Sequence, residues 1–126
     1  MGDCLHLECW QLSLEAADTP SILALSRQGL PTLRTEHTDE NLCARGAYEL
    51  SGTTREPKVT LIATGSEVEI AMNAKRILEK ENIGTRVVSM PCSELFDAQP
   101  DQYRKEILGP GTVRVAIEAA VRYGWD

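Results

Sequence analysis

The stretch "KVTLIATGSEVEIAMNAKRILEKENIGTRVVSM", residues 58–90, most narrows what this chain can fold into. It opens on an apolar run at 59–63, turns at Gly65, and then changes period. Val68, Ala71, Met72, Lys75 and Leu78 follow helical spacing, and a second apolar run, "TRVVSM", ends at Pro91. Runs that are apolar throughout belong to strands buried on both faces, as in a parallel sheet. A helix between two such strands makes a right-handed parallel βαβ unit the default, since antiparallel neighbours need only a short turn. Ser66 and Glu69 have the spacing of a capping box, and Gly84 stands where a glycine commonly ends a helix.

The pattern repeats downstream. "DQYRKEIL" is amphipathic and helical, and "TVRVAIEA" is a further strand. The order βαβαβ predicts an α/β fold: an open, mostly parallel sheet with flanking helices. Upstream, Leu5, Cys9, Leu12 and Ala16 form one apolar stripe of a helix over 5–18, which Trp10 and Leu14 widen. Pro20 stops that helix, and the apolar run at 22–25 predicts a short buried strand that ends in Ser26 and Arg27. From Gly29 to Pro57 the chain is polar, with "AYEL" its one short extended piece; so long a polar connection commonly joins two units. The expected organisation is therefore 1–31, a linker at 32–57, and 58–126. Only seven residues follow Ala119, too few for a covering helix, and the first helix starts almost at Met1. The pattern thus predicts an α/β unit truncated at both ends.

Charge and composition exclude several classes. Nineteen acidic and thirteen basic residues give a net charge of −6, the wrong sign for nonspecific binding to nucleic acid or to an acidic membrane. No run approaches the roughly 20 apolar residues of a membrane span, and "MGDCLHLECW" is no secretory signal. Cys4, Cys9, Cys43 and Cys92 form no C-x-x-C pair, and His6 and His37 have no ligand partner at metal-binding spacing. A disulfide framework and a metal site are both unexpected, and reduced thiols suit a cytoplasmic protein.

Three places could carry chemistry. Gly65 and Ser66 open a helix whose free N–H groups could hold an anion, although Glu67 and Glu69 oppose one. Glu118, at a strand end, could be an acid, a base or a solvated surface group. Arg27 would stand at the carboxyl end of a strand, where ligands collect in open α/β sheets, and its planar fork suits a phosphate. On spacing alone an ordinary surface or ion-paired arginine is the commoner case. The charges of "ELFDAQPDQYRKE" read as solvated helix faces.

Four segments, "PSILALSRQGLP", "VTLIATGSEVEIA", "RVVSMPCSELFDAQPDQYRKEIL" and "VRVAIEAAVRYGWD", together resemble transketolase, in the same order and with similar gaps. The resemblance implies that 1–31 ends the family's pyrimidine-binding domain and that 58–126 is the front of its C-terminal α/β domain. It implies a reaction, transfer of a two-carbon ketol unit between sugar phosphates, with thiamine diphosphate and a divalent cation (Mg or Ca) in a homodimer. It also implies a role for Arg27, which matches the arginine of the family's "SRQ" motif that contacts the substrate phosphate. The family's diphosphate- and metal-binding motif, its activating glutamate and its catalytic histidines have no counterpart in these 126 residues. No catalytic, cofactor or metal residue is therefore assigned, and the chain alone is expected to bind no cofactor and to be inactive. The alternative is a subunit-interaction or structural module without catalysis.

Overall fold

Val87 and Val88 are both fully buried and adjacent in sequence, so they face opposite sides of one strand, and both sides are covered. This is the organising fact of the computed structural model, which describes residues 4–36, 38–122 and 124–125, with the backbone alone at Cys4. His37 lies outside the described residues. The chain runs α1 (Cys4–Glu15), a 3-10 turn (Leu42–Arg45), β1 (Tyr48–Ser51), β2 (Pro57–Ala63), α2 (Glu67–Lys80), β3 (Gly84–Ser89), α3 (Ser93–Asp97), α4 (Asp101–Leu108) and β4 (Val113–Ile117).

The four strands form one sheet in the order β1-β3-β2-β4. β2 pairs in parallel with both β3 and β4, and β1 closes the far edge antiparallel to β3. The expected mostly parallel α/β sheet with flanking helices is the one observed. Edge strand β1 lies inside the polar stretch at 32–57, so part of that stretch belongs to the sheet. The extended piece expected at "AYEL" is this strand; that it pairs with β3 as an edge of the sheet depends on a partner some forty residues away.

The alternating side chains of β2 and β3 build two cores. Leu61, Ala63 and Val87 pack with Val68 and Ala71 of α2 on one face. Ile62 and Val88 pack with Phe96 of α3, Ile107 of α4 and Ala47 on the other. Each large apolar side chain so buried contributes roughly 1.5–3 kcal/mol, and together they clamp the sheet between two helical layers. The charges around "ELFD" are solvated, as expected, while the aromatic side chain between them is buried. Phe96 is 4% exposed and meets the Tyr103 ring edge-on, with centroids 6.4 Å apart.

Three local expectations are overturned. Residues 22–26 form no strand, and Ile22 is 94% exposed. An apolar run becomes a strand only where neighbouring strands accept its backbone bonds, and none of the described strands lies beside this segment. The capping box does not form either: the Ser66 hydroxyl donates to Glu67 Oε1 at 2.8 Å and makes no bond to the helix backbone. Finally, Gly84 does not end α2. The left-handed position is Asn82 (φ 62°), where the Asn82 N–H donates to Glu79 O and the Ile83 N–H to Leu78 O. That pair of bonds is a Schellman closure, with asparagine in the place a glycine usually takes. Gly84 begins β3 instead, and its glycine answers a different need: a Cβ there would lie 2.2 Å from Glu56 O.

Candidate functional site

Arg27 sits on an exposed bend after the apolar run at 22–25, and no hydrogen bond or ion pair engages it among the described residues. Solvation of an unpaired guanidinium is cheap to give up for a bidentate anion, so the side chain is available to a phosphate. The strand exit that was to position it is missing. Ile22, five residues earlier, lines a cleft of about 280 Å³ over the carboxyl ends of β2 and β3, with Thr64, Met90 and Trp125. This is the edge of the sheet at which α/β folds take ligands.

The cleft's own polar groups gather around a carboxylate. The Ser93 hydroxyl donates to Glu94 Oε2 at 3.2 Å, and the Cys92 thiol approaches the same oxygen at 3.5 Å. The backbone N–H of Glu94, then the Cys92 and Ser93 side chains, hold the Glu94 carboxyl below its ordinary value. A pocket organised about an anion does not suit a diphosphate. Nor, among the described residues, does any group of three or more His, Cys, Asp or Glu side chains suit a metal ion. The residues present therefore do not fit thiamine diphosphate and its divalent cation.

The other two sequence candidates are accounted for locally. Glu118 Oε1 accepts the N–H groups of Ala119 (2.8 Å) and Ala120 (3.3 Å), so it caps the turn after β4. At the start of α2, Glu67 and Glu69 already supply the negative charge that the helix dipole favours.

One cluster escaped the sequence reading. Glu8 of α1, 9% exposed, meets the Arg34 guanidinium through both carboxylate oxygens, Arg34 Nη1 donating to Oε2 at 3.1 Å. The Cys43 N–H donates to the same Oε2 at 3.2 Å, and Asn41 Nδ2 to the Glu8 carbonyl at 3.0 Å. The Arg34 guanidinium also stacks 5.5 Å over the Tyr48 ring. Burial alone would raise the Glu8 carboxyl, but the bonds from Arg34 and Cys43 outweigh it and hold it below its ordinary value. A faint clue was present: Glu8 sits between Leu5 and Leu12 on the apolar stripe. Nothing in the polar stretch marked Arg34 as its partner. This cluster ties α1 to the segment at 34–43.

Comparison with known proteins bears on the whole chain. The family described as "Transketolase-like TK C-terminal domain" matches residues 46–126. Transketolase of Rhodobacter capsulatus is 59% identical over 119 residues, covering 94% of this chain and 18% of that protein. Among solved structures, transketolase from Leishmania mexicana superposes with a TM-score of 0.84 at 39% identity, over 94% of this chain and 17% of that one. Pichia stipitis transketolase in complex with sedoheptulose 7-phosphate superposes with a TM-score of 0.85 at 32% identity, over 96% of this chain and 18% of that one. The chain thus spans about 18% of the length of the relatives it matches. With a family match over 46–126, superposition at a TM-score of 0.84 and identity on this scale, the chain belongs to the transketolase family.

Proposed function

We propose that this chain serves as part of a transketolase, which moves a two-carbon ketol unit between sugar phosphates with thiamine diphosphate and a divalent cation, and that Arg27 grips the substrate's phosphate. The observation that carries the reading is Arg27 itself: an exposed, unpartnered guanidinium within "SRQ", in a chain of this family. A fork-shaped cation at the far end of a phosphorylated sugar holds its carbonyl in register with a cofactor supplied by the rest of the enzyme. In this reading residues 1–31 close a pyrimidine-binding domain, 32–57 connect it to the C-terminal domain begun at 58, and β1 of the connection completes the sheet. The working protein is a cytoplasmic homodimer, and these residues alone carry out no ketol transfer.

The test grafts this segment into Rhodobacter capsulatus transketolase in place of its own. Arg27→Ala should raise KM for xylulose 5-phosphate by roughly 10–100-fold, the worth of a lost charge-assisted hydrogen-bond pair, while leaving turnover of an unphosphorylated ketose unchanged. Equal losses with both substrates would reject the phosphate role. The isolated chain with thiamine diphosphate and Mg²⁺ should show no turnover, and measurable turnover would reject its inactivity.

A specific observation favours a second reading, a module for association. Val113 and Val115 of edge strand β4 are 65% and 41% exposed, an apolar surface of the kind that seeks a partner. Light scattering decides it: a clean monomer at high concentration counts against association.

A further inference from the structure

Asp101, Arg104, Lys105 and Leu108 are spaced as i, i+3, i+4 and i+7, so they share one face of α4, and this face lines a cavity of about 330 Å³. Phe96 and Asp97 of α3 and Arg114 of β4 complete the lining. Arg114 stands there because of register. It pairs with Thr60, two residues from the Ile62–Ala116 pair, so it shares the face of the sheet that α3 and α4 cover. Three cations and two carboxylates thus meet in one concavity. Arg104 and Asp101 are committed to each other by an ion pair, and the bond and charge of Arg104 hold the Asp101 carboxyl below its ordinary value. Arg104 is nonetheless incompletely satisfied: its Nε is buried with no hydrogen-bond acceptor among the described residues. Lys105, Arg114 and Asp97 make no side-chain hydrogen bond or ion pair among the described residues. The chain's own groups therefore leave this cluster open. Its lining carries one positive charge in excess, which suits a monoanion, whereas the free Asp97 carboxylate opposes a dianion. Its apolar wall, Phe96 at 4% exposure and half-buried Leu108, favours an organic body over a bare ion.

We propose that this cavity between α3, α4 and β4 binds a small organic monocarboxylate, its carboxylate held by Arg114 and Lys105 and its apolar body laid on Phe96 and Leu108. The Arg114 guanidinium offers a planar fork for two parallel charge-assisted bonds, and the Lys105 ammonium adds a further charged donor. The site does not depend on the phosphate role of Arg27. Arg114 is the second residue of β4, whereas the cleft that Ile22 lines lies over the carboxyl ends of β2 and β3.

The full chain is titrated with phenylacetate and followed by backbone amide chemical shifts, with inorganic phosphate and phenethylamine as comparison probes at matched ionic strength. Phenylacetate should saturate with a Kd of about 1 mM, the scale expected of so small a ligand, with shifts centred on residues 96–97, 104–108 and 114. Neither phosphate nor phenethylamine should reproduce that saturable pattern. Arg114→Ala should weaken phenylacetate at least about tenfold, the loss of a charge-assisted pair. Asp97→Asn, which removes the opposing charge, should tighten it roughly two- to fivefold. The wild-type map decides the matter even where a variant does not fold. Absence of saturation, an equal response to phosphate or to phenethylamine, or an unchanged affinity in either folded variant overturns the proposal.

Discussion

Removing Arg34 should free α1 by leaving Glu8 buried beside a single remaining donor. Both side chains of the pair are 11% exposed, which places it among buried ion pairs rather than surface ones. Breaking a buried pair by deleting one partner costs about 3–5 kcal/mol, because the orphaned charge must be desolvated without compensation. Protonation sets a ceiling on that orphan. Neutralising a carboxyl of ordinary value 4.5 at pH 7 costs about 3.4 kcal/mol, at about 1.36 kcal/mol per pH unit. At pH 5 the same escape costs only about 0.7 kcal/mol. Arg34→Ala should therefore raise the α1 opening equilibrium by about 3 kcal/mol at pH 7, with a penalty at least about 2 kcal/mol smaller at pH 5. Amide exchange of α1 residues, corrected for intrinsic rates, reads this local opening directly. The Glu8→Ala/Arg34→Ala double variant should lose less than the two single losses added, since it strands no charge. In the wild type the sign is that of a depressed carboxylate. The stabilisation is complete above about 4.5 and fades as pH falls through the lower folded value. An Arg34→Ala loss under about 1 kcal/mol at pH 7, or strict additivity in the double variant, would show the pair to behave like a solvent-screened surface bridge and refute the reasoning.

Two further outcomes test the packing. Phe96→Ala should cost about 3–5 kcal/mol in denaturant unfolding, because it empties the centre of one core; a loss under about 1 kcal/mol would mean that α3 is not a packed layer. Gly84→Ala should cost more than about 1 kcal/mol, because its Cβ would meet Glu56 O at 2.2 Å, whereas Gly29→Ala, with nothing within 4 Å, should stay within about 1 kcal/mol of neutral; equal effects would contradict the glycine assignment.

The central sheet was legible because its signal is redundant. Residues 59–63 and "TRVVSM" are apolar on both faces, and the helical spacing of Val68, Ala71 and Leu78 between them admits one topology. Arg27 stood out as a cation directly after an apolar run, but the phosphate role proposed for it came through resemblance, since no periodicity marks a ligand-binding cation. What stayed hidden depended on partners distant in sequence. The run at 22–26 has strand composition, yet without a neighbouring strand to share its backbone bonds it forms no strand and stays largely exposed. Conversely, Tyr48–Ser51 is polar in context and becomes a strand because β3 offers it an edge.

Caps and charges divide the same way. Ser66 and Glu69 have capping-box spacing, but the hydroxyl prefers the neighbouring Glu67 carboxylate, a choice of rotamer that no sequence pattern encodes. Gly84 was recognisable as a position needing glycine, while its reason, the approach of Glu56 O, exists only once β2 and β3 are side by side. Glu8, with Arg34 and the Cys43 N–H, makes the point most sharply. Local spacing reports which face of an element is apolar; it cannot report which residue some 30 positions away will fill the space opposite. That is decided when the chain packs, because a buried carboxylate keeps its place only by meeting the donor that the fold brings to it.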